Sequence, residues 1–106
     1  MTALERARAE ARAFMEQIEA AERAFCRAWW DSGLRKASVG ELLEYAENAG
    51  LPITGKTVRA RQISLGRWLG SSVNSPIAGD GYVYRIEPAK KRDGYTQWEI
   101  SVEPEQ

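Results

Sequence analysis

The residues of this chain best equipped for chemistry are seven basic side chains in two clusters. Lys56, Arg59, Arg61 and Arg67 lie close together with Ser64 among them, and Lys90, Lys91 and Arg92 follow one another further along. Groups of this kind hold anions. A guanidinium fork meets a phosphate, or the guanine edge, with two parallel hydrogen bonds, and a serine hydroxyl adds a single contact to a phosphate oxygen. The surrounding charge sharpens the point. Residues 48–79 contain four bases and no acid, net +4. Residues 1–47 carry seven bases against nine acids, and residues 80–106 four bases against six acids, so each of those segments is net −2. The whole chain is neutral, with 15 bases and 15 acids, which argues against an indiscriminate polycation. Positive charge gathered on two elements can still form one localised positive face. Two ordinary solvated surfaces are the plainer alternative.

A second pattern needs weighing. Gly50-Leu-Pro-Ile-Thr-Gly55-Lys56-Thr57 matches G-x-x-x-x-G-K-[ST] at every fixed position. That loop cradles phosphates only where a buried strand feeds it and a helix leaves it. Here the preceding segment, Glu41 to Ala49, reads as an amphipathic helix, and no later apolar run ends in an Asp that could hold magnesium. We read the match as coincidence, and a small nucleotide-binding protein ranks a distant third among the possible functions. Gly50 then serves as a helix cap, Pro52 as a stop, and Thr54 or Thr57 as the next N-cap.

Other chemistries find little support. There is no histidine and a single cysteine, Cys26, so neither a disulfide framework nor a structural zinc site is expected. Cys26 reads as a small buried hydrophobe. No carboxylate pair or nucleophile–base pair stands out, so no catalytic residue, metal, cofactor or small-molecule substrate is expected. With 106 residues, 43% hydrophobic and 28% charged, the chain fits one soluble domain with a modest core. Glu and Arg recur through the N-terminal segment, which excludes a signal peptide or membrane span there, so a cytoplasmic location is the default.

The positioning elements follow from periodicity and caps. Thr2 with Glu5 opens a long helix that runs without Gly or Pro to Trp30, before Asp31-Ser32-Gly33. Leu4, Ala7, Ala11, Phe14, Ile18, Ala21, Phe25 and Ala28 alternate at spacings of three and four, a heptad seam. Such a helix is roughly 40 Å long, more than one small domain covers. Its second half, from about Ile18, should pack on the domain. Leu4, Ala7, Ala11, Phe14 and Ile18 are expected to meet a partner helix, most economically in a homodimer.

Ser38 and Glu41 form a second capping box, Leu42, Leu43, Ala46 and Ala49 make an apolar face, and Gly50 suits a left-handed C-cap. Lys36–Ser38 before it is a candidate short strand. A third helix is expected from about Thr57 to Leu69 or a little beyond. Its inner side holds Val58, Leu65 and Leu69, and its outer side Arg59, Ala60, Ile63, Ser64 and Arg67, with Arg61 and Trp68 at a border. After a turn at residues 70–76, Tyr82, Tyr84 and Ile86 share one strand face, and Trp98, Ile100 and Val102 share another. The loop Pro88–Gly94 joins these strands with a basic tip, and residues 103–106 read as a frayed tail.

The expected fold class is α+β. It comprises a long N-terminal helix (1–33) and a winged helix-turn-helix domain (34–102), three helices in all before a C-terminal β-hairpin wing. In that layout the third helix enters the major groove and the wing touches the neighbouring backbone. The run Arg59-Ala-Arg-Gln-Ile-Ser-Leu-Gly-Arg-Trp-Leu, with Tyr84-Arg85-Ile86 and Trp98-Glu-Ile, resembles the winged-helix segment at the C-terminal end of phage and mobile-element primase–helicase proteins. The likeness covers roughly residues 34–102. It implies a DNA-binding accessory module in replication or in plasmid and prophage maintenance, although these 106 residues include no NTPase or primase domain. The expected partner is duplex DNA, held by Lys56, Arg59, Arg61, Ser64, Arg67, Lys90, Lys91 and Arg92. A protein-docking module using the same domain and the heptad helix is the alternative.

Overall fold

The computed structural model describes residues 2–105. In chain order the elements are α1 (Ala3–Asp31), β1 (Lys36–Ala37), α2 (Val39–Ala49), α3 (Val58–Ser72), β2 (Ile77–Ala78), β3 (Tyr82–Arg92) and β4 (Tyr95–Pro104). The fold is α+β. Three helices accompany a four-stranded antiparallel sheet of order β1-β4-β3-β2.

Local chemistry sets most of the helix ends. The Thr2 hydroxyl accepts the Glu5 N–H at 3.1 Å and starts α1. At the other end the Ser32 N–H reaches back to carbonyls of the last turn, and Gly33 takes φ 83°. Arg35 then fixes the exit: its guanidinium stacks 3.5 Å from the Trp30 ring centroid and donates to the Trp30 carbonyl at 2.9 Å. Ser38 and Glu41 form the expected reciprocal capping box at the start of α2. Gly50 ends α2 at φ 83°, and the buried Leu51 donates its N–H to the Ala46 carbonyl at 3.1 Å. The Thr57 hydroxyl caps α3 by accepting the Ala60 N–H at 3.1 Å.

The core lies between the helices and one face of the sheet. Phe25, Cys26 and Trp29 from α1 meet Leu42 and Ala46 from α2, Leu65 and Leu69 from α3, and Tyr84, Ile86 and Ile100 from the hairpin. Phe25 sits edge-on to the half-buried Trp68, with ring centroids 5.4 Å apart. Cross-strand pairs Tyr84↔Val102 and Ile86↔Ile100 put most of the expected faces on the helices, but Tyr82, expected beside Tyr84, is exposed where β3 begins. The first half of α1 leaves the domain: Leu4, Phe14 and Met15 are each about 60% exposed, and full burial begins at Ala21. The long dimension of the molecule, 56 Å against 40 and 22 Å, exceeds the length of the 29-residue α1, about 44 Å at 1.5 Å per residue.

Four local expectations need correcting. α3 runs through Gly70 to Ser72, so the turn begins at Val73. The Ser71 and Ser72 hydroxyls both bond back to the Trp68 carbonyl, and Ser72 is buried, which carries the helix past its glycine. Val58 is exposed because it occupies the first position of α3, beyond the reach of the core. Residues 103–104 belong to β4: Glu103 pairs with Val83, and the Glu105 N–H reaches the Gly81 carbonyl, so the end is tied down (Gln106 lies outside the described residues). The basic loop is shorter than Pro88–Gly94, because β3 continues to Arg92 and only Asp93-Gly94 turn. The short β2, paired with β3 through Ile77↔Tyr84, is an addition to the expected strands. Among the described residues no helix is long and apolar enough to cross a membrane.

Candidate nucleic-acid interface

α3 presents its outer side beside the tip of the β3–β4 hairpin. A groove of about 540 Å³ lies between them, lined by Arg59, Ile63 and Gly66 of α3, by Val39 and Gly40 at the start of α2, and by Gly94, Tyr95 and Trp98 of the hairpin. The helix cation Arg59 and the residues adjoining the basic tip therefore border one surface. Arg67 is exposed two turns further along α3, and Lys56 is exposed in the loop before it.

That loop is shaped by backbone geometry. Gly55 adopts φ 136°, and a Cβ built there would stand 2.6 Å from the Ala60 Cβ and 2.9 Å from the Arg61 backbone nitrogen. Only glycine lets the chain pass so close under the first turn of α3. Ser64 completes the support, since its hydroxyl accepts the Thr54 N–H at 3.1 Å. This hydroxyl therefore anchors the loop that carries Lys56, and is half-buried.

Lys90, Lys91 and Arg92 occupy the exposed end of β3, just before the hairpin residues that line the groove. The pairing register shifts between Ala89 and Arg92, a bulge that bends the strand as it reaches the tip. Asp93 and Gly94 turn with φ 51° and 81°, and Arg92 pairs with Tyr95 across them. Two consecutive positive φ values make the tight two-residue connection that matches strand twist.

The seven cations are not equivalent. Arg61 Nε is 2.8 Å from Glu47 Oε1, which ties α3 to α2. Among the described residues the other ion pairs are Arg27–Asp31 and Arg85–Glu103, which leaves Lys56, Arg59, Arg67, Lys90, Lys91 and Arg92 without a carboxylate partner. The groove mixes apolar and polar side chains: Ile63 is 47% and Tyr95 69% exposed, with half-buried Val39 and Trp98 and the polar Ser38, Gln62 and Thr96 beside them. Spacing could have suggested the outward Ile63, but Tyr95 joins it only through the hairpin register.

The segment matching the phosphate-loop pattern lies between two helices. Its Gly50 is the C-cap of α2, and its Thr57 hydroxyl is occupied by the Ala60 N–H. No strand feeds it, and the sheet is antiparallel. Along the outer half of α1, Leu4, Ala7, Ala11 and Phe14 are exposed and Ile18 is half-buried. These five residues lie on the part of the helix that leaves the domain. Compared with protein-family models, curated proteins and solved structures, the chain matches none.

Proposed function

We propose that this chain binds duplex DNA as a winged helix-turn-helix, with α3 in the major groove and the β3–β4 hairpin as the wing. The observation that carries this reading is the shared groove bordered by Arg59 and by the hairpin tip. Lys90, Lys91 and Arg92 precede the Asp93-Gly94 turn of that hairpin, and Arg59 lines the groove from α3. The order of elements supports it too: β1 pairs with β4, and the hairpin follows α3 directly. Phosphate contacts from Lys90, Lys91 and Arg92 fix register, while Arg59 or Arg67 reads base edges. The module serves replication, mobile-element maintenance or transcription as an accessory or regulatory part, in line with the resemblance to primase–helicase C-terminal segments. Replacing Lys90, Lys91 and Arg92 together by Ala should weaken binding to all duplexes alike. Arg59→Ala or Arg67→Ala should instead relax preference at one base pair by about 1–3 kcal/mol. If all these variants bind duplexes as the wild type does, the reading fails.

One observation favours a second reading, a protein-docking surface: the groove is lined in part by Ile63, Val39, Tyr95 and Trp98. Apolar side chains with polar and charged ones around them are the anatomy of a protein interface. Duplex titration separates the two readings, since a surface used only for docking leaves affinity weaker than about 100 μM at low salt.

A further inference from the structure

We infer that the outer half of α1 pairs antiparallel with the same segment of a second copy of this chain. The proposal is independent of DNA binding. Leu4, Ala7, Ala11, Phe14 and Ile18 form a continuous apolar seam in line with Ala21 and Phe25, which enter the domain's own core. Water faces the seam before Ile18 and protein covers it after. The seam is long enough to occupy a helix, and two features specify which helix and in which direction.

The first is volume. Along the seam the side chains run Leu, Ala, Ala, Phe, Ile, Ala from residue 4 to residue 21. In a parallel, in-register pair each residue meets its own copy. Ala7 and Ala11 would then make two successive layers of methyl groups next to a layer of two Phe14 rings, and no single interhelical distance suits both. Reversal about a two-fold axis between Ala11 and Phe14 sets Ala11 against the partner's Phe14 and Ala7 against the partner's Ile18. Each of these layers then holds one large and one small side chain, and the spacing stays even. Ile18 is already half-buried by its own domain, so the partner residue there has to be small, and Ala7 is.

The second is charge. Residues 3–13 carry three arginines and two glutamates, and residues 14–22 carry three glutamates and no base. A parallel pair places each segment beside its own copy. An antiparallel pair lays the basic segment on the acidic one and brings Arg8 beside the partner's Glu19, twice per dimer. Glu22, which lies near the partner's Glu5 at the edge of the overlap, is half-buried against its own domain.

Sedimentation of the full chain at tens of micromolar should give the mass of a dimer. Phe14→Glu, at an exposed position that the monomer fold does not use, should give a monomer with unchanged helical circular dichroism. Arg8→Glu and Glu19→Arg should each weaken the dimer roughly tenfold, and the double variant should restore it, because each exposed pair changes sign. Direction is read from paired labels at Glu5→Cys or at Ala13→Cys, with the buried Cys26 left unlabelled. Antiparallel helices displace the two residue-5 labels by about 22 Å along the axis and leave the residue-13 labels level with each other. A wild type that stays monomeric, or separations equal at both positions, would overturn the proposal.

Discussion

Arg61 on α3 and Glu47 on α2 meet at 2.8 Å, so one of the four bases in the acid-free stretch is already neutralised within the fold. Both side chains remain partly exposed, and a pair of this kind contributes at most about 1 kcal/mol. Arg61→Ala should therefore lower stability by under about 1 kcal/mol in urea titration and leave the salt dependence of DNA binding nearly unchanged. Arg59→Ala and Arg67→Ala should do the reverse, with little loss of stability and a shallower salt slope. Equal slopes for all three variants would show that the ion pair opens on binding.

Gly55 tests how the loop carrying Lys56 is held. Its φ of 136° and the 2.6 Å approach of a Cβ to Ala60 leave no room for a side chain. Gly55→Ala should cost about 1–3 kcal/mol, from backbone strain and displacement of the first turn of α3. A midpoint in denaturant indistinguishable from wild type would mean that the loop passes α3 at a greater distance.

Cys26 is fully buried among Phe25, Trp29 and the hairpin, and burial, with Glu22 nearby adding to it, pushes its thiol up to about 12. Thiolate is the reactive form, so the native protein should leave a disulfide reagent unconsumed at about pH 8. One thiol per chain should react on unfolding. Rapid native reaction would place Cys26 at the surface.

Glu22 gives a pH signature. Burial raises its carboxyl above the ordinary value of 4.5, and Glu19 adds to the shift, while the hydrogen bond from Trp68 opposes it. A raised acid is charged less readily in the fold than in the unfolded chain. Its penalty is absent below the unfolded value and grows as pH rises through the raised one. Glu22→Gln, which keeps the shape and removes the charge, should therefore raise Tm by about 1–3 °C at about pH 7 and not at all near pH 3. A variant less stable than wild type at neutral pH would show that the charged carboxylate is favoured in the fold.

What the sequence disclosed was mostly local. Ser38 and Glu41 cap α2 as expected, and Gly50 ends it, because the groups involved lie within a few residues of one another. The hairpin faces were equally legible, since alternation alone puts Ile86 and Ile100 on one side. Features that depend on packing were not. Gly70 reads as a turn until Ser71 and Ser72 are seen bonding back to Trp68. Arg61 reads as free until the approach of α2 brings Glu47, 14 positions earlier, to its guanidinium. Ser64 reads as a surface hydroxyl until the returning loop brings the Thr54 N–H to it. The two residues of β2 carry no strand signal of their own and exist through pairing with β3.

The central claim is best tested by titrating a random-sequence duplex against the full chain across a salt series. Among the described residues, Lys56, Arg59, Arg67, Lys90, Lys91 and Arg92 have no carboxylate partner. If about four to six of them neutralise phosphates, log K should fall against log salt with a slope of about −4 to −5. Alanine at residues 90, 91 and 92 should flatten that slope by close to one for each phosphate left unneutralised. Affinity weaker than about 100 μM at low salt, or a slope near zero, would contradict the DNA reading.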